Sequence, residues 1–167
     1  IGFILLFLGC QSNNENNNES EVYVNNILKQ RYQKLLKYRL DSLGFPRSYS
    51  HNKSAIKKVT SKDWTSGFFP GNLWQIYQLT GDREYKYQAK KWTSFVEKEK
   101  FNGRTHDMGF KVLSSFGNGL TSMQNNKNYK DVIVKSAKTL STRFDKSIGC
   151  IRSWDFNIDI WQYPVII

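Results

Sequence analysis

Cysteine and histidine are scarce in this 167-residue sequence: two of each, Cys10 and Cys150, His51 and His106. Two cysteines cannot build the disulfide framework of a small secreted domain. The four side chains also lie too far apart in sequence for the close ligand pairs of a zinc site. Neither a metal nor any other cofactor is therefore expected. Three prolines and eleven glycines exclude a collagen-like chain. Acidic side chains are few, 14 against 25 Lys and Arg, so the formal charge is +11. Such a surplus favours polyanionic partners (acidic polysaccharide, nucleic acid or anionic membrane) without choosing among them. The opening apolar run, Ile1 to Leu8, is far shorter than the ~20 residues that span a bilayer. What is present is 39% apolar and 15% aromatic residues, enough to bury a core and to exclude wholesale disorder. The length suits one domain or part of a larger one.

The apolar run has the length of a secretory signal core and ends in Leu8-Gly9-Cys10. Those three residues resemble the lipobox of bacterial lipoproteins, whose Cys becomes the acylated first residue. Phe7 occupies the place of the usual Leu, with Leu6 beside it. The alternative is an ordinary signal peptide with Cys10 incidental; both export the protein. The expected location is the periplasm or the outer membrane of a Gram-negative bacterium, with membrane contact only through a lipid on Cys10. Residues 11–20 are Asn-rich and read as a flexible tether. The chain opens at Ile1 and stops in Tyr163-Pro164-Val165-Ile166-Ile167, which reads as a piece cut at both ends. The expected division is a truncated signal over 1–10, a tether over 11–20 and one truncated domain over 21–167.

Helical periodicity dominates that domain. Val24, Ile27, Leu28, Tyr32, Leu35, Leu36 and Leu43 predict a helix over 21–43, ended by Gly44. Residues 46–67 lack a steady period and predict a long loop. Pro70 suits a helix start, followed by a stripe of Leu73, Ile76 and Tyr77. Thr80-Gly81-Asp82 places a C-terminal Gly and an N-cap Asp in one tight turn. The next helix, over 83–99, should bury Tyr85, Ala89, Trp92 and Val96, making an antiparallel helical hairpin. Further helices are predicted over 107–124 and beyond the Asn125–Asn128 turn, the last with Ile133, Ala137, Leu140 and Phe144 on one face. No strand pairs are predicted. The expectation is an all-α fold of stacked hairpins, an α-solenoid or an α/α toroid. The lack of a 34-residue tetratricopeptide period leans towards the toroid.

Three segments depart from this amphipathic pattern. Asp63-Trp64-Thr65-Ser66-Gly67-Phe68-Phe69-Pro70-Gly71, with Trp74 a turn later, sets aromatics beside Gly and Pro. Flat aromatic faces stack on sugar rings or bases. Trp64, ahead of the helix, is the candidate ligand platform, and Phe68 and Trp74 read as core. In Arg104-Thr105-His106-Asp107-Met108-Gly109-Phe110, Asp107 either caps the coming helix or, with His106 beside it, forms an acid/base site. Gly149-Cys150-Ile151-Arg152-Ser153-Trp154-Asp155, followed by Trp161, supplies an arginine able to grip a carboxylate and a tryptophan able to stack. The same segment also reads as a plain interhelical loop with a surface ion pair.

Taken in order, DWTSGFFPG, LTGDREY, THDMGF, the Arg-Ser-Trp block and Tyr-Pro-Val-Ile-Ile resemble the unsaturated glucuronyl hydrolases, glycoside hydrolase family 88. The resemblance runs over residues 45–167. It implies a partial (α/α)6 toroid and an acidic unsaturated oligosaccharide as substrate. The activity it implies is removal of a Δ4,5-unsaturated uronic acid from the non-reducing end by hydration of the vinyl-ether double bond. It further implies that Asp107 is one of two essential Asp residues, and that Trp64, His106 and Trp154 contact sugar. Arg152 as a carboxylate ligand is a reading of the residues alone. The second Asp would directly follow Ile167, so these residues alone should be inactive and poorly stable. A carbohydrate-binding lipoprotein without catalysis is the alternative. A nucleic-acid-binding scaffold is disfavoured by the export signal and by basic residues spread along the helices.

Overall fold

The computed structural model describes residues 23–37 and 44–155, with Glu19, Glu21, Asn157, Asp159 and Ile160. Cys10, most of the tether, residues 38–43, Trp161 and Tyr163 to Ile167 lie outside the described residues. The first predicted helix begins with a π-helical segment, Tyr23–Leu28, and continues as α1, Lys29–Lys37. Leu28, Tyr32, Leu35 and Leu36 lean from it onto the core.

The predicted loop over 46–67 is a β-hairpin instead. β1, Phe45–Ser50, pairs antiparallel with β2, Ala55–Val59. The ribbon shows no clean alternation because its register shifts between Pro46 and Ser48 and only Phe45 is buried within it. A bulged, mostly solvated two-strand ribbon carries little of the period-two signal on which strands are recognised. A 3-10 turn, Trp64–Gly67, then leads into α2, Phe68–Thr80.

The hairpin of α2 with α3, Arg83–Val96, forms as predicted. Gly81 takes the left-handed conformation, φ 68°, and its N–H donates to Tyr77 O at 2.8 Å. Asp82 Oδ1 accepts from the Glu84 N–H at 3.0 Å and caps α3. Tyr85, Ala89, Trp92 and Val96 are all buried, against Phe69, Leu73, Trp74 and Ile76 from α2. Trp92 meets Phe69 and Phe45 edge-on at 5.0 and 5.3 Å. Side chains of this size each contribute about 1.5–3 kcal/mol on full burial, so this aromatic seam anchors the fold. Trp74 is core, as read: it is fully buried and its Nε1 donates to Thr93 Oγ1 at 2.9 Å.

A 3-10 segment, Glu97–Phe101, ends the hairpin. The chain then enters α4, π-helical over Gly109–Gly117 and α-helical over Asn118–Ser122. α5, Lys127–Ser141, is capped by Asn126. Its predicted apolar face is off by about one position. Val132 and Ser136 are the buried residues, Ile133 and Leu140 are half-buried, and Ala137 is exposed. Phe144 lies past the helix, in the short strand β3, Phe144–Asp145, which pairs with β4, Cys150–Ile151. The echo between Tyr85…Val96 and Ile133…Phe144 is therefore not matched in burial.

The contacts between helices fix how the ends align. A Cβ on Gly67 would strike the backbone oxygens of Lys111 and Phe110, and one on Gly71 would strike Ser114 O. Gln78 Nε2, further along α2, donates to Ser122 Oγ at 2.7 Å. Residue numbers rise together along both helices, so α2 and α4 run parallel and in backbone contact at their starts. Their N-termini, carrying Trp64 and Asp107, open on the same end of the molecule.

Candidate active site

Each candidate residue sits just ahead of a helix or in a connection, where side chains can be presented without occupying the core. Asp63 organises the Trp64 turn. Its Oδ1 accepts from the Thr65 N–H at 2.9 Å and the Thr65 hydroxyl at 2.6 Å, and its Oδ2 accepts from Arg47 at 2.6 Å. Burial alone would raise the Asp63 pKa, but these hydrogen bonds and the Arg47 and Lys111 charges hold it below the ordinary carboxylate value. Trp64 is 42% exposed and packs edge-on against Phe68 and Phe110 at 5.7 and 5.5 Å. Phe110 lies three residues after Asp107 in the chain, so the aromatic platform packs on the start of the helix that Asp107 precedes.

Asp107 does not cap α4. The capping position is Met108, without a side-chain bond, and the Asp107 carboxylate accepts from Thr105 Oγ1 at 2.9 Å. Thr105 Oγ1 in turn accepts from the Asp107 N–H at 3.1 Å. The side chain is thereby free of the helix and faces His106, whose Nε2 stands 3.5 Å from Asp107 Oδ1. His106 Nδ1 is 3.0 Å from Ser153 O. A carbonyl oxygen only accepts, so this contact assigns a hydrogen to Nδ1. The other ring nitrogen, Nε2, is the one that faces Asp107. Both side chains are about one-fifth exposed, and the space above Gly109 is clear to 4 Å.

Trp154 closes this side. It is partly buried and meets the His106 ring edge-on at 5.3 Å. Arg152 Nε lies 3.2 Å from Asp155 Oδ1, an ion pair without a well-aligned hydrogen bond. The structure thus brings Asp107, His106 and Trp154 into one cluster, while Trp64 packs on Phe110 at the start of α4. Arg152 stands at its margin, already facing an acid.

Two buried cations escaped the sequence reading. Arg143, just past α5, is 4% exposed. Its guanidinium donates to Gly103 O, Arg152 O, Ser153 O and both oxygens of Asp155, at 2.7–3.1 Å. It welds the Asp107 loop to the Trp154 segment and shares Ser153 O with His106. Lys111, one helical turn past Asp107, has a fully buried side chain with Nζ 3.4 Å from Glu99 Oε2. The pattern Met108, Lys111, Val112, Ser115, Phe116 puts it on the buried stripe of α4, and that spacing was the available signal. No counterpart existed for Arg143. Among the described residues no group of three His, Cys, Asp or Glu converges as a metal site does.

No family model matches the chain. It is 51% identical over 170 residues to an unsaturated glucuronyl hydrolase of Formosa agariphila, an alignment covering all of this chain and 42% of that protein. Identity to an unsaturated glucuronyl hydrolase of Bacillus sp. strain GL1 is 32% over 114 residues, 66% of this chain and 29% of that one. The crystal structure of an unsaturated glucuronyl hydrolase specific for heparin superimposes with a TM-score of 0.71 at 33% identity, over 90% of this chain and 37% of that one. The chain belongs to the unsaturated glucuronyl hydrolase family. Its parallel α2 and α4, each with an antiparallel return helix, are part of the (α/α)6 toroid of that family. The chain spans less than half the length of the relatives it matches.

Proposed function

We propose that the protein to which this chain belongs removes the Δ4,5-unsaturated uronic acid from the non-reducing end of lyase-generated acidic oligosaccharides. The observation that carries this reading is Asp107, detached from its helix, held by Thr105 and facing a His106 whose other nitrogen is fixed by Ser153 O. In the chemistry implied by the family resemblance, a carboxyl group protonates C4 of the vinyl ether and water adds at C5. The resulting hemiketal opens and releases the remaining sugar. The scheme differs from displacement at the anomeric carbon but uses the same general-acid logic. Asp107 and His106 manage a proton, and Trp64 and Trp154 offer rings to the sugar faces. Arg152 is assigned to the substrate carboxylate, which would compete with Asp155 for the guanidinium. This reading places a second carboxyl group outside these 167 residues.

The test is loss of the unsaturated-uronate ultraviolet band with the full-length protein and an unsaturated disaccharide. Asp107→Asn should lower kcat by about 10²–10⁴-fold, the range for a general acid, while calorimetric binding of the disaccharide persists. Unchanged turnover in the variant would exclude Asp107 from the chemistry. An absence of turnover in the parent, with binding retained, would favour the non-catalytic carbohydrate-binding reading.

The lipobox-like Leu8-Gly9-Cys10 further supports export and a lipid anchor on Cys10, in the periplasm or at the outer membrane. Labelling with a fatty acid in a Gram-negative host should mark the full-length protein and be abolished by Cys10→Ser. Labelling that survives the substitution would sink the anchor.

A further inference from the structure

Lys111 is the buried titratable group for which the proposed reaction has no use, and its surroundings are one-sided. The ammonium sits inside the protein with Glu99 as its ion-pair partner, and it also feels the charges of Asp107 and Asp63. Burial of the ammonium holds the Lys111 pKa below its ordinary value, opposed first by Glu99 and then by the Asp107 and Asp63 charges. Glu99, 3% exposed, is held from three directions. Ser61 Oγ donates to Oε1 at 2.7 Å, Asn102 Nδ2 donates to Oε2 at 2.8 Å, and Lys111 completes the set.

Each member of this network lies on a different approach to the site. Ser61 stands two residues before Asp63, and its carbonyl accepts from Ser66 Oγ at 2.9 Å, closing the Trp64 turn on itself. Asn102 begins the loop that carries Thr105, His106 and Asp107, and its Oδ1 accepts from the Arg104 N–H at 3.1 Å. The Lys111 N–H donates to Asp107 O at 3.2 Å, so the lysine and Asp107 share the first turn of α4. Gly67 seats the Trp64 turn directly on the Lys111 backbone. A buried ion pair is a poor means of gaining stability, since well-packed apolar residues commonly do as well. It is a good means of fixing geometry, because each member is directional and none can be left unpaired.

We propose that Lys111 is a positioning residue, which through Glu99 holds the Trp64 platform and the Asp107 loop at one separation. The assignment of a task to that separation rests on the reaction proposed above. The juxtaposition itself does not.

The test uses the full-length protein carrying Lys111→Met/Glu99→Gln, which removes both charges and leaves no buried ion alone. Two readouts are taken. Hydrogen exchange is read with or without activity: exchange over residues 61–66 and 104–110 should rise together by about tenfold or more, as expected when a shared support is removed. With an unsaturated disaccharide, kcat should fall by about ten- to a hundredfold with KM within about twofold, the cost of roughly an ångström of misplacement. A double variant with parental protection in both segments and parental kcat would overturn the proposal, leaving Lys111 a packing residue. Should that variant fail to fold, Ser61→Ala removes a single neutral hydrogen bond from the same network. It should raise exchange over 61–66 and lower kcat, and parental values for both would equally overturn the proposal. A parent without turnover defeats the reaction, while the exchange measurement still decides the positioning role.

Discussion

Two cations flank Asp107, and they are secured in opposite ways. Arg143 presents a planar fork to three backbone carbonyls and one carboxylate, all at hydrogen-bonding distance. Its partner Asp155 is 31% exposed. Lys111 is a point charge sealed with Glu99, at 0% and 4% side-chain exposure, and its shortest ion-pair contact is 3.4 Å. The first arrangement uses shape: a guanidinium matches several acceptors at once and stays charged wherever it is placed. The second uses charge: a lone ammonium in a dry site is tolerated only because the Glu99 carboxylate faces it. Arg143 therefore fixes chain segments to one another, including the Ser153 carbonyl that orients His106. Lys111 fixes the Glu99 carboxylate, on which Ser61 and Asn102 also converge. The segments around Asp107 have one support of each kind.

The sharpest way to break this comparison is to remove the fork. Arg143→Met strips donors from Gly103 O, Arg152 O and Ser153 O and leaves Asp155 with the Arg152 ion pair alone. The expected loss is about 3–5 kcal/mol, the usual cost of taking one partner from a buried ion pair. Arg143→Lys should recover little, because an ammonium cannot reach four acceptor groups in one plane. Chemical denaturation of the full-length protein measures both. If Arg143→Lys restored stability, charge alone would be at work and the distinction between the two cations would vanish.

How much of this was legible in the sequence follows the same division between shape and charge. The α2–α3 hairpin was legible because its signals are local: Gly81 adopts the left-handed turn and Asp82 caps the next residues. Tyr85, Ala89, Trp92 and Val96 recur at helical spacing and are buried. The β1–β2 ribbon was not legible, since a bulge after Pro46 and solvation of most of its residues erase the alternation. On α5 the helix was read but its face was misjudged, because Val132 and Ile133 are both apolar and adjacent. Only packing on α4 decides which one turns inward. Asp107, His106 and Trp154 were found as residue types in suggestive neighbourhoods. Their convergence depends on the return of the chain after α5, which Arg143 enforces across 40 residues to Gly103 and 10 residues to Ser153. No local pattern reports such a contact. Lys111, by contrast, sat in view on an apolar stripe.

A smaller effect sharpens the contrast through pH and salt. Burial would raise the Glu99 pKa, but hydrogen bonds from Ser61 and Asn102 and the Lys111 charge outweigh it and hold it below its ordinary value of 4.5. The Arg143 hydrogen bonds, with the Arg143 and Arg152 charges, likewise hold Asp155 below 3.8 against the opposing effect of burial. A carboxylate with a depressed folded-state pKa stabilises the fold fully above its unfolded value, because the unfolded chain takes up the proton first. That contribution is lost as pH falls through the folded value. The melting temperature should therefore hold from neutral pH down to about 4.5–5 and fall below it, with Glu99 entering the window before Asp155. Glu99→Gln should melt lower at neutral pH, where it strands Lys111, and should fall less steeply on acidification. Raising the salt towards 1 M screens partly exposed charges far more than sealed ones. It should flatten the part of the decline that Asp155→Asn removes and leave the Glu99 part standing. An acid limb that salt abolishes entirely would mean that Lys111 and Glu99 are reached by solvent, and the two supports would then be of one kind.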